Sequence, residues 1–91
     1  MAVTVKLPTQ LRAAAGGQSS VEAEGATVGE VLAAVYAQHT ELRDRLSDDQ
    51  GGLRRFVNVY VDGEDIRFGA GLDTPVDDAR EVQILPAVAG G

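Results

Sequence analysis

Phe56-Val57-Asn58-Val59-Tyr60-Val61-Asp62-Gly63-Glu64-Asp65-Ile66-Arg67-Phe68 reads as a strand, a tight turn and a return. Val57, Val59 and Val61 alternate with Phe56, Asn58 and Tyr60, the period-two pattern of a strand with two unlike faces. Asp62-Gly63 is a strong two-residue hairpin signal, and Glu64 to Phe68 is expected to come back beside the first strand. If the three valines face a core, Phe56, Asn58 and Tyr60 lie on the open side of a sheet.

The element packed on that core lies upstream. Thr27-Val28-Gly29-Glu30 has capping-box spacing: the Thr27 hydroxyl is predicted to accept from the Glu30 N–H, and the Glu30 carboxylate from the Thr27 N–H. Val28, Val31, Leu32, Val35 and Tyr36 then mark one helix face, predicted to run to about His39. A shorter helical stretch through Leu42 and Leu46 is expected before Asp48-Asp49-Gln50-Gly51-Gly52 breaks it.

At the front, Val3, Val5 and Leu7 alternate with Thr4 and Lys6, and Ser20-Val21-Glu22-Ala23 alternates again. These two predict a hairpin with a loose loop over Arg12 to Gly17. At the back, a loop carrying Gly69, Gly71, Pro75 and Asp77-Asp78 precedes a strand from Glu81 to Leu85. There Val82 and Ile84 face inward and Leu85 outward. The order β-β-α-(α)-β-β-β predicts an α+β domain, with one main helix across a mixed sheet of four to five strands. Residues 1–85 are expected to form this domain and residues 86–91 a flexible tail.

Ninety-one residues, 44% of them apolar, suit a single globular domain. Eight basic residues against fourteen acidic ones give a net charge of −6, which argues against nucleic-acid binding. The acidity either steers the chain toward a basic docking surface or serves solubility alone. No apolar run has the length of a membrane span and no signal-peptide pattern opens the chain, so cytoplasmic residence is expected. The chain holds no cysteine, one lysine (Lys6) and one histidine (His39), and no nucleophile–base set can be assembled from them. His39 sits at a predicted helix end, where a structural role suits it. Asp48-Asp49 and Asp77-Asp78 lack EF-hand spacing and read as solvated turns, so no metal is expected. Neither GxxxxGK[ST] nor GxGxxG occurs, leaving no evident nucleotide site.

The remaining feature is the tail, Pro86-Ala87-Val88-Ala89-Gly90-Gly91. It is uncharged apart from its carboxylate, which titrates near pKa ~3.5. Extended, it reaches at most about 20 Å, enough to enter another protein's active site through a narrow channel. A free carboxylate is a poor electrophile. Attack on the α-phosphorus of ATP would convert it to an acyl-adenylate, from which a sulfur donor could displace AMP.

The strand order, the capped helix and the diglycine end together resemble the ubiquitin-like sulfur carriers of the ThiS/MoaD family, over essentially the whole chain. The run from Arg55 to Phe68, the long segment from about Thr40 to Arg54, and Ile84 to Gly91 look most like its CysO branch, which feeds cysteine biosynthesis. The resemblance implies a ubiquitin-like β-grasp fold and a protein cosubstrate that is not itself an enzyme. Gly91 would be adenylated by an E1-like enzyme of the MoeB/ThiF type, with ATP and sulfur supplied through that partner and no bound cofactor. A pyridoxal-phosphate cysteine synthase would consume the thiocarboxylate, and a JAMM-type zinc peptidase would release the product. Leu85 matches the apolar position that meets the activating enzyme. Val88, Ala89 and Gly90 would thread the partner's channel, the carrier being monomeric when free; strand parity separately makes the open face with Phe56, Tyr60 and Leu85 either a docking patch or a surface covered by loops or an edge. The family's Asp-Gly-Asp turn is replaced by Asp77-Asp78-Ala79-Arg80, a departure in turn chemistry. Two other readings share the same first step: a ubiquitin-like modifier joined to lysines through Gly91, and the small subunit of a molybdopterin synthase. A small adaptor with accidental glycines also remains open.

Overall fold

The computed structural model describes residues 2–48, 52–54, 57–76 and 81–86. Five strands, β1 (Ala2–Lys6), β2 (Ser20–Glu24), β3 (Val57–Val61), β4 (Glu64–Asp65) and β5 (Glu81–Pro86), form one sheet in the order β2-β1-β5-β3-β4. β1 and β5 run parallel and the other neighbours antiparallel, so the sheet is mixed, with the last strand at its centre. Helices α2 (Val28–Gln38) and α3 (Thr40–Leu46) cover one face.

Side-chain parity follows from period two. Val3 and Val5 of β1, Val21 and Ala23 of β2, Val59 and Val61 of β3, and Val82 and Ile84 of β5 are all buried. They meet Val28, Val31, Leu32 and Val35 of α2 and Leu42 and Leu46 of α3 in one core. At about 25 cal/mol per Å² of apolar area, this contact outweighs the weak intrinsic helix preference of the β-branched valines in α2. His39, at φ −136° and ψ 89°, separates the two helices. The second covers the far end of the core.

Three local expectations need correction. The Glu30 carboxylate accepts from the Ala26 N–H at 3.0 Å, one residue before the predicted donor, while the Thr27 hydroxyl accepts from the Glu30 N–H at 3.3 Å. The chain entering α2 is also stitched to a distant segment. The Val28 N–H donates to the Thr74 carbonyl and the Val76 N–H to the Ala26 carbonyl, both at 2.9 Å.

The β1–β2 connection is not a loose loop. Pro8 precedes a short helix α1 (Thr9–Arg12), continued by a 3-10 turn over Ala13–Ala15. Leu7, Leu11, Ala14 and Ala15 are buried there, and the Arg12 Nε donates to the Leu7 carbonyl at 3.2 Å. Small alanines let this turn close the end of the core.

The return strand after Asp62-Gly63 lasts two residues only. Both turn residues adopt positive φ, 51° and 88°, the geometry that twists with a hairpin. The Asp65 carboxylate then accepts the Arg67 N–H at 2.9 Å, which bends the chain into a 3-10 turn, Ile66–Phe68, and drops Ile66 into the core.

Candidate functional site

β5 ends on the sheet face away from the helices. With Val82 and Ile84 inside, Leu85 emerges on the open side at 36% exposure. Register sets it opposite Asn58 of β3, and sets Gln83 between Lys6 of β1 and Tyr60 of β3. Tyr60 faces Asp65 on β4. The sheet thus brings Leu85, Asn58, Tyr60, Gln83 and Lys6 onto one face around the root of the C-terminal segment. Tyr60 is half-buried and keeps part of its ring in water. Pro86 pairs with Val57, so the ladder runs one residue past the strand end read from sequence. Phe56, Val88, Ala89, Gly90 and Gly91 lie outside the described residues.

Charge on this face is arranged in two pairs. Lys6 Nζ lies 3.2 Å from Glu81 Oε2, both about half exposed; such a pair stabilises little by itself. The second pair is built more firmly. Arg67 Nη2 bonds to Asn58 Oδ1 and lies 3.3 Å from Asp65 Oδ2, while the Arg67 Nε donates to Asp65 Oδ1 at 3.4 Å. The Asp65 side chain is 10% exposed, against 59% for Arg67. The Arg67 backbone N–H, then its guanidinium, hold the Asp65 carboxyl below the usual carboxylate range. The amide of Asn58 is therefore fixed beside Leu85.

Sequence reading missed this triad and the neighbouring Phe68, which stands 92% exposed. A signal was present: an Asp two residues before a backbone donor is the spacing of an Asx turn, and it ends β4 at Asp65. Among the described residues, no group of three or more His, Cys, Asp or Glu side chains could hold a metal ion. His39 lies between α2 and α3, the helices that cover the other face. The Asp48 Oδ1 accepts the Gly52 N–H at 2.8 Å, the turn role expected of it, whereas Asp77-Asp78 fall outside the described residues. No helix among the described residues is long and apolar enough to cross a membrane.

The open face offers an apolar side chain, an ordered amide and a phenol close to Pro86, the last described residue of β5.

Comparison with known proteins bears on that arrangement. The ThiS family profile matches residues 5–91. The sulfur carrier protein CysO of Mycobacterium tuberculosis is 50% identical over 93 aligned residues that span all of both chains. Among solved structures, a chain in the BexX/CysO complex of Amycolatopsis orientalis superposes with a TM-score of 0.89 at 50% identity, covering 98% of this chain and 99% of that one. The SAMP1 structure of Haloferax volcanii superposes with a TM-score of 0.84 at 31% identity over the full length of both chains. The architecture is the ubiquitin-like β-grasp, and the small sulfur carriers it resembles are carrier proteins rather than catalysts. Matched from its fifth residue to its diglycine, and half identical to a full-length relative, the chain belongs to the ThiS family.

Proposed function

We propose that this chain is a sulfur carrier whose reactive group is the Gly91 carboxylate. The observation that carries the reading is half identity to a sulfur carrier over the whole of both chains. An E1-like enzyme binds ATP, and a Gly91 carboxylate oxygen attacks the α-phosphorus, forming the acyl-adenylate and releasing pyrophosphate. A hydrosulfide equivalent delivered by a sulfur donor then attacks the acyl carbon, AMP leaves, and the thiocarboxylate remains. Activation is needed because an unmodified carboxylate has no adequate leaving group. The chain supplies the tail and a docking face; ATP and sulfur come through the partner. The consumer is a pyridoxal-phosphate cysteine synthase. The thiocarboxylate adds there to an aminoacrylate, an S-to-N acyl shift follows, and a JAMM-type peptidase frees the cysteine. Leu85 and Tyr60, with Phe56 beside them in sequence parity, form the patch that the activating enzyme grips. Val88, Ala89 and Gly90 thread its channel.

A modifier reading is favoured by one observation, the full-length superposition on SAMP1, a protein named as a small archaeal modifier. It shares the adenylate and differs in the acceptor. With Lys6 the single lysine, chains built through lysine side chains would grow from that residue.

Deletion of Gly91 tests the assignment. The truncated chain should melt at the wild-type temperature, because the core side chains among the described residues all lie upstream. It should give no thiocarboxylate when incubated with the activating enzyme, ATP and a sulfur source. Thiocarboxylate formation at the wild-type rate would refute the role of Gly91.

A further inference from the structure

Among the described residues, Phe68 and Leu85 are the large apolar side chains left exposed, and of these two the carrier reading employs Leu85 alone. Phe68 is not exposed through looseness. The turn behind it is tied at both ends: the Asp65 carboxylate holds the Arg67 N–H at 2.9 Å, and the Gly69 N–H donates to the Ile66 carbonyl at 3.0 Å. Ile66 anchors the turn in the core, and the Arg67 guanidinium is spread across Asp65 and Asn58. A ring held outward by this framework loses little freedom when it is covered.

Its surroundings state what would cover it. Phe68 lines a shallow depression with Tyr60, Glu64, Asp65 and Pro75. The Asp65 charge is met by Arg67, whereas Glu64 is exposed and enters no ion pair among the described residues. A purely apolar partner would strip water from the Glu64 carboxylate without replacing it. An acidic partner would be repelled by a chain of net charge −6. A cation stacked on the ring satisfies both groups. Tyr60, which lines the depression and pairs with both Asp65 and Gln83, joins it to the sheet face that carries Leu85.

We infer that Phe68 and Glu64 form a second docking point, which receives an arginine or lysine of the enzyme that adenylates the tail. The cation stacks on the Phe68 ring and pairs with the Glu64 carboxylate. This rests on the carrier reading above and adds the chemistry of the partner surface to it.

The test is ATP–pyrophosphate exchange catalysed by the MoeB/ThiF-type enzyme of the same organism, with the full chain as the varied substrate. Phe68→Ser should raise KM at least tenfold and leave kcat within twofold, with an unchanged melting temperature. Glu64→Lys should raise KM severalfold and flatten its dependence on salt; Phe68→Tyr should retain near wild-type KM. A Phe68→Ser KM within twofold of wild type, or a Glu64→Lys chain with undiminished salt dependence, overturns the inference. Absence of exchange with the wild-type chain would overturn the carrier reading itself, a distinguishable result.

Discussion

Tyr36 illustrates how one residue reports on the packing around it. Its ring lies against the core from the exposed end of the α2 stripe, and burial pushes its phenol up to about 12, because the phenolate loses solvation there. A folded-state value above the ordinary 10.0 means the folded chain keeps a proton that the unfolded chain gives up. That contribution to stability is complete below about pH 10 and is lost as pH rises through about 12. Ultraviolet titration of a Tyr60→Phe variant, which leaves Tyr36 as the one tyrosine, should show a single transition near pH 12. A midpoint near 10 would mean that the ring is not packed as described. On the open face, residue identity was partly legible: the parity of β5 alone puts Leu85 outside. Phe68 was not, because its exposure follows from a 3-10 turn in which Ile66 alone faces inward.

The elements were legible wherever alternation or the 3.6 period persisted for several residues. β3 and α2 are of that kind, and the structure places both as the valine pattern requires. α1 was hidden because it buries Leu11 alone and the 3-10 turn after it buries only alanines, too small to register as a periodic apolar stripe. The shortening of β4 depends on one Asp65 side chain, which competes with the strand for the backbone. The corner joining β2 to α2 is tighter than either element suggests. A Cβ added at Gly25 would lie 2.7 Å from the Val31 nitrogen and 2.8 Å from Glu30 Cβ, against the first turn of the helix. Gly25→Ala should therefore destabilise the domain by about 1–3 kcal/mol through overpacking, measurable as a lower urea midpoint at unchanged slope. A midpoint equal to wild type would show that the corner can relax.

The described residues pack around a single core beneath one sheet. Twenty apolar side chains and no polar ones are buried among the described residues, and under the carrier proposal the open face of the sheet is the one offered to a partner. The centre of that sheet is β5, so the strand leading to the tail is held by neighbours on both sides, β1 and β3. The acidic surface, net −6, would speed encounter with a basic enzyme and would be screened as salt rises. The central claim is that Gly91 carries sulfur, and the intact mass of the protein purified from its own organism tests it most directly. The account predicts a species heavier than the sequence mass by about 16 Da, sulfur in place of oxygen in an activated acyl group, with fragmentation placing the gain on Gly91. Preparations made under sulfur demand that contain only the unmodified mass, or a gain located elsewhere in the chain, would contradict it.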